Sequence, residues 1–572
     1  MKSKGLATRL TQYGDVEFSK FMRQTFALSM GYGTEAIGRP VVGIINTASD
    51  LNNCHRGLVE LIPAIKRGIL LEGGLPLAFP TISLGEAFLS PTSMLFRNLM
   101  SMDVEEMIRA QPIDAVVLVG GCDKTIPALL MGAASAGLPA LVVVAGPMLT
   151  GGYKGEQIGA CTDCRRFWAS YRRGELNRLE IDEIKSELVV TTGTCAVMGT
   201  ASTMACITEA MGMMLPGGAT IPAVYAERLR HGEESGRKAT QLANSGPTPA
   251  DIMTPAAFGN AIRVLQTIGG STNAVIHLTA IAGRLGIELD LNQFDVVSEQ
   301  TPVLLDLKPT GKGYMEDFHR AGGIPTVLQE LGDLIDRSTL TVTGQTLDVL
   351  LGEAVDLPRW QEIIRPAAEP FQASGALIGL WGNLAPDGAV LKRSAASPEL
   401  LQKRARAVVF TSLEDLAHRI DDPNLDVTPE DILVLQNAGL VGAPGMPEAG
   451  YFPIPGKLHG VTDMVRISDA RMSGTAFGTI VLHVSPEAAV GGPLSLVRNG
   501  DIIELDAKSR RLSLLVSEEE LDRRSVNNPG RPELPKRGYA RLFSQAVQQP
   551  HLGADFDFLR HESLQGKEEQ GG

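Results

Sequence analysis

Several things that would fix a function class by themselves are scarce in this sequence. Aromatic residues are only 5% of its 572 positions, and the formal net charge is −13. A chain so acidic and so poor in stacking rings does not offer the basic, aromatic surface that holds nucleic acid. The longest uninterrupted apolar stretch, around Leu138 to Leu149, falls short of the roughly 18 residues a membrane span needs. There is no GxxxxGK[ST] loop and no GxGxxG opening a helix, which disfavours nucleotide cofactors. The opening stretch MKSKGLATRLTQYGD has no apolar segment behind its basic residues, so no secretory signal is read in it. Six cysteines are too few for a disulfide framework, and a reducing cytoplasm is the expected setting.

Glycine is abundant instead. The 62 glycines gather in pairs beside apolar runs, where backbone turns tightly or comes close to a ligand. The chain is too long for one core. Its first part alternates apolar strand-like runs, such as Pro40 to Asn46, Asp114 to Val119 and Leu141 to Ala145, with helical patterns such as Cys54 to Leu71, Pro91 to Ala110 and Thr125 to Ala136. Continuous apolar strands between helices predict a parallel sheet covered on both faces. A polar, proline-containing stretch from Asp356 to Ser374 reads as a linker. Beyond it, Gly375 to Lys392, Ala407 to Thr411, Ile432 to Val441 and Gly478 to Val484 are β-like runs with Gly and Pro turns. The expected class is therefore α/β over residues 1–370, joined to a β-rich domain over 371–560, with a polar, disordered tail over 561–572.

Three cysteines, Cys54, Cys122 and Cys195, each lie where an apolar run ends or a helix begins. Three thiolates are one fewer than a closed site needs, and an open position on a metal is where chemistry takes place. Carboxyl ends of strands in open α/β sheets are where ligands bind. A buried cysteine is more often a core filler, the reading kept for Cys206. Asp123 and Lys124 follow Cys122, so a hard carboxylate adjoins a soft thiolate. Glu86 in SLGEAF follows another strand, Glu448 sits in the GAPGMPEAG loop, and Ser473 sits in the small-residue turn ISDARMSGTAFG. The CTDC pair Cys161 and Cys164 offers a redox couple or half a zinc site, but no second CxxC completes it, and a structural or incidental role is favoured. His55 beside Cys54 raises a Rieske-type ligand, with pairing to a strand-end carbonyl preferred.

The blocks GGCDKTIPALLMGAAS, TGTCAVMGTASTM, GGSTNAVIHL, GNLAPDGAV, PGMPE and DARMSG, in this order, resemble the signature blocks of the dihydroxy-acid and sugar-acid dehydratases. The likeness runs from about Gly38 to Leu559. It implies an α/β domain and a barrel-like domain with the site between them, in a homodimer or homotetramer. It implies an iron–sulfur cluster on Cys54, Cys122 and Cys195, [2Fe–2S] in this subgroup, although three cysteines suit a [4Fe–4S] cluster with one open iron equally well. Magnesium would be bound by Glu86, Asp123, carbamylated Lys124 and Glu448. Ser473, as alkoxide, would be the base, and Thr475 would help hold the substrate. SLGEAF and ISDARMSG look more like the sugar-acid members than the branched-chain ones, so the implied substrate is an aldonic acid, a pentonate foremost. The alternatives are 2,3-dihydroxyisovalerate as substrate and, more distantly, a thiol-redox or electron-transfer protein. Ala546 stands where many members carry a histidine, with His551 five residues on.

Overall fold

The computed structural model describes residues 5–8, 10, 14–352, 360–449, 452–526 and 532–564. Four parallel strands form the first sheet: β1 (Val41–Asn46), β2 (Leu75–Pro80), β3 (Ala115–Gly120) and β4 (Ala140–Val144), in the order β2-β1-β3-β4. Every residue of β3 and β4 is buried, which is why these strands read as unbroken apolar runs. Helices Leu58–Leu71 and Ala226–Ser245 pack together on the sheet, and Arg97–Ala110 and Thr125–Ala136 form a second packed pair. Right-handed crossovers place the two pairs on opposite faces. The first pair touches backbone to backbone: a Cβ on Gly68 would lie 1.8 Å from the Glu233 carbonyl oxygen, and one on Gly236 would lie 2.2 Å from that of Ile65. Only glycine permits that approach.

A hairpin of β5 (Gly151–Tyr153) and β6 (Glu156–Ile158) leads into the helix Thr162–Arg172. Further helices continue to Leu347–Gly352. Of the expected linker, residues 353–359 lie outside those described. Part of the rest is pinned to the helical region by isolated bridges from Val303 to Gln372 and from Leu305 to Ile364.

Eight strands then close a barrel. They are β7 (Leu377–Gly382), β8 (Ala385–Lys392), β9 (Gln402–Phe410), β10 (Ile432–Leu435), β11 (Arg466–Ser468), β12 (Ile480–Ser485), β13 (Ile502–Asp506) and β14 (Arg511–Leu514). Their order is β10-β11-β12-β8-β7-β14-β13-β9. Strands β9 to β12 run parallel to one another, and antiparallel pairings with β8 and β13 continue the ring. Ile378, Leu391, Val434, Ile467 and Ile503 fill the core of the barrel. The chain then returns to the helical part, where Phe543 and Phe556 pack with Met94, Leu95 and Ile276. Of the tail expected to be disordered, Glu562–Leu564 form a 3-10 turn that buries Leu564; residues 565–572 lie outside those described.

Candidate active site

The order β2-β1-β3-β4 puts the topological switch point between β1 and β3, the crevice where open α/β sheets bind ligands. Cys54 lies in the loop after β1 and Cys122 in the loop after β3. His55 fastens the two loops: its Nε2 accepts the Gly121 N–H at 2.9 Å, and its Nδ1 is 2.9 Å from the Thr47 carbonyl. Burial holds the imidazole at a pKa of about 4, so it is neutral. Both nitrogens are engaged, which excludes the Rieske-type role and leaves the strand-end carbonyl pairing. Cys122 has φ +52°, a left-handed conformation that a cysteine adopts only when its surroundings impose it. Cys195 arrives from a distant segment pinned just past β4, where Thr194 donates to the Gly146 carbonyl at 2.9 Å and Met148 to the Thr194 carbonyl at 2.8 Å.

Cys54 interacts with both of the other thiols. A hydrogen bond with Cys54, then burial, pushes the Cys122 thiol well up. Cys195 is raised by its bond to Cys161, then by burial, and it also feels the charge of Cys54. The CTDC pair lies next to this group. Cys161, set aside as structural or incidental, has its sulfur 3.2 Å from that of Cys195. Hydrogen bonds from Cys164 and Cys195 hold it well below the usual thiol range. The hairpin β5–β6 turns the chain back to bring Cys161 there, which no residue spacing announces.

The acidic group adjoins the thiols through Cys122, whose sulfur lies 3.4 Å from Asp123 Oδ1. The fully buried Lys124 donates to Asp123 Oδ2 at 2.6 Å. Arg471, also fully buried, was not anticipated. It donates to Glu448 Oε1 at 2.9 Å, to Glu86 Oε1 at 3.0 Å and to Thr92 Oγ1 at 2.6 Å. Thr92 donates to Glu86 Oε1 at 2.8 Å, and Ser93 donates to its other oxygen. Burial would raise the Glu86 carboxyl, but Arg471, Lys124 and these hydroxyls bring it down to about 2. Glu448 goes the other way. Burial raises it, and the charges of Glu86 and Asp123 add to the rise against the pull of Arg471. With the cations lying between the carboxylates, no three His, Cys, Asp or Glu side chains among the described residues converge as a ready-made ion cage.

The loop from β11 to β12 carries Arg471, Ser473 and Thr475 from the barrel onto the α/β part. Asn273 donates to the Met472 carbonyl at 2.8 Å and Thr162 to the Thr475 carbonyl at 3.3 Å. A Cβ on Gly474 would lie 2.6 Å from Ser271 Cβ, so the GGSTN and DARMSG blocks touch. Ser473 Oγ is 2.9 Å from Thr475 Oγ1 and receives the Thr475 N–H at 3.4 Å. Ala546 is buried beside Phe543 and Phe556 in an apolar cluster and brings no polar group to the site.

Thiols, carboxylates and a serine loop thus lie near the junction of a parallel sheet and a closed barrel. The chain belongs to the dihydroxy-acid/6-phosphogluconate dehydratase family, whose N-terminal model matches residues 39–350 and whose C-terminal model matches residues 362–554. It is an enzyme of the hydro-lyase kind. It is 48% identical over 554 residues to an L-arabinonate dehydratase of Rhizobium leguminosarum bv. trifolii, covering 96% of this chain and 95% of that one. It is 44% identical over 532 residues to a 6-deoxy-6-sulfo-D-gluconate dehydratase of Pseudomonas putida, covering 92% and 91%. It is 38% identical over 537 residues to a dihydroxy-acid dehydratase of Moorella thermoacetica, covering 92% and 96%. Among the described residues no helix is long and apolar enough to cross a membrane.

Proposed function

We propose that this protein dehydrates an aldonic acid, a pentonate foremost, to the 2-keto-3-deoxy acid. The observation that carries the reading is the junction at Cys122 and Asp123, where a soft thiol group meets a hard carboxylate group beneath a serine loop. The greater identity to sugar-acid dehydratases than to the dihydroxy-acid enzyme supports the substrate class over 2,3-dihydroxyisovalerate.

The donor chemistry fits two inorganic groups. Soft sulfur from Cys54, Cys122 and Cys195 suits an iron–sulfur cluster, [2Fe–2S] by family likeness. Hard oxygen from Glu86, Asp123 and Glu448 suits magnesium. Lys124 fits as a carbamate on grounds of charge. Three carboxylates with Lys124 and Arg471 leave the buried group one unit negative. Carbon dioxide added to the lysine amine, with loss of its protons, turns one positive charge into one negative, and a divalent cation restores the balance. Bound there, the two groups would supply Lewis acidity at the hydroxyl that leaves and at the carboxylate end of the substrate.

The remaining steps belong to the chain. Ser473 takes the proton from C2. A serine is a weak base unless its alkoxide is stabilised, and the Thr475 N–H and hydroxyl both face its oxygen. Thr475 would help hold the substrate, as the family likeness implies. Arg471 keeps Glu86 and Glu448 at fixed separation while charge moves nearby. Departure of the C3 hydroxyl gives an enol, which tautomerises to the keto acid with no net electron transfer.

The test is incubation of anaerobically purified protein with pentonates, hexonates and 2,3-dihydroxyisovalerate, followed by assay for 2-keto acids. Turnover of an aldonate in preference to the branched-chain acid, lost with a magnesium chelator and regained on adding magnesium, is the expected result. Preference for 2,3-dihydroxyisovalerate would reverse the substrate assignment, and indifference to the chelator would remove the carboxylate site.

A further inference from the structure

Beside the Ser473 loop lies a cavity of about 340 Å³, within the range of small-molecule sites. Met472, Ala476 and Phe477 of that loop form one wall, the segment 452–458 after Glu448 another, and the helix Thr162–Arg172 a third. The cavity is rich in arginine although the chain as a whole is strongly acidic. Most of these guanidinium groups are held by acids: Arg166 by Asp163 and Glu156, Arg172 by Asp421, Arg173 by Glu175 and Arg466 by Asp463.

Arg165 differs. Its Nη2 is 3.9 Å from Glu448 Oε2, too far for a hydrogen bond, and its buried Nε has no hydrogen-bond partner among the described residues. Its side chain is only 17% exposed, so water does not readily replace a partner. Glu448 is already engaged by Arg471 on its other oxygen. A guanidinium presents a planar fork of N–H donors that matches a carboxylate two bonds at a time, and leaving such donors idle in a buried place is costly. Arg165 therefore stands between the cavity and the carboxylate group with its Nε–H unpaired and no hydrogen bond to Glu448.

We infer that Arg165 grips the C1 carboxylate of the substrate as it enters through this cavity, and so selects acids over neutral polyols of the same shape. The inference rests on the aldonate reading above. The carboxylate would arrive next to Glu448, with C2 and C3 turned toward the Ser473 loop.

The experiment compares binding of a pentonate and its pentonamide to the cluster-loaded protein and to Arg165→Gln, by calorimetry, alongside KM and kcat for the acid. Loss of a charge-assisted pair costs about 1.5–3 kcal/mol, or roughly 10- to 150-fold. The pentonate Kd and KM should rise by about that factor in Arg165→Gln, the pentonamide Kd should move by less than about 2-fold, and Arg165→Lys should recover part of the loss. Iron content and the visible spectrum should be unchanged. Equal weakening of acid and amide, or an unaltered pentonate Kd, would overturn the inference. Calorimetry needs no turnover, so tight acid-selective binding that depends on Arg165, without any keto acid formed, would sink the dehydratase reading and leave the grip standing.

Discussion

Arg471 joins two carboxylates that are far apart in the chain, Glu86 and Glu448, and does so with no exposed surface of its own. Removing one partner of a buried charge group costs about 3–5 kcal/mol because the others stay behind unpaired. Arg471→Met should therefore lower the urea-unfolding stability of the metal-free protein by about that much. An unchanged midpoint would mean that the carboxylates do not depend on it. The sequence singled out Cys54, Cys122 and Cys195 because each ends a strand-like run or precedes a helix, Asp123 because it adjoins Cys122, Glu86 because it follows a strand, and Glu448 because it sits in a Gly/Pro loop. Arg471 was not singled out, since an arginine two residues before a serine carries no mark of being buried. The contact of Cys161 with Cys195 was hidden for a related reason: the two are 34 positions apart, and CxxC spacing directs the eye to Cys164.

Among elements, the short strand β11 depends most on its neighbours. Asp469, just after it, accepts the Ala438 N–H at 3.0 Å and the Ala488 N–H at 2.9 Å, lacing together the chain beyond β10 and β12. Burial, then the charge of Glu487, raises its carboxyl from 3.8 to about 7. The folded state thus keeps a proton that the unfolded state has lost. Its contribution is whole below about pH 4 and disappears as pH rises to about 7. That shift is worth on the order of 4 kcal/mol. The stability difference between the protein and Asp469→Asn should swing by that order in favour of the variant between pH 4 and pH 8, measured by denaturant unfolding; a difference constant with pH would remove Asp469 as the cause. The helix Thr125–Ala136 and the strands β3 and β4 could be read from sequence because burial on both faces makes them uniformly apolar. Strand β11, only three residues long, could not, since its order comes from parallel pairing with β10 and β12 rather than from any local pattern. The hairpin of β13 and β14 was missed although Ile503, Leu505, Leu512 and Leu514 alternate into the barrel core.

Across the whole molecule, the sheet's switch point faces one end of the barrel, and each half is incomplete alone. The α/β part supplies thiols, Glu86, Asp123 and Lys124; the barrel part supplies Glu448, Arg471 and Ser473. The return of the chain after the barrel locks the arrangement, with Arg284 and Asp555 paired at 2.6 Å in full burial. The two-part organisation was foreshadowed by the change of texture near residue 370, and the closed barrel and a site between the halves by family likeness; the contacts that join the halves there, such as Arg471 to Glu86, required the fold. The proposed removal of the C2 proton by Ser473, with departure of the C3 hydroxyl from the same site, is put to the test by turnover of a pentonate in D₂O, with the product examined by NMR and mass spectrometry. One solvent deuterium at C3 of a 2-keto-3-deoxy acid is the predicted result, because the C2 hydrogen leaves and the enol is protonated from solvent. A product that carries its original C2 hydrogen to C3, unlabelled, would contradict it.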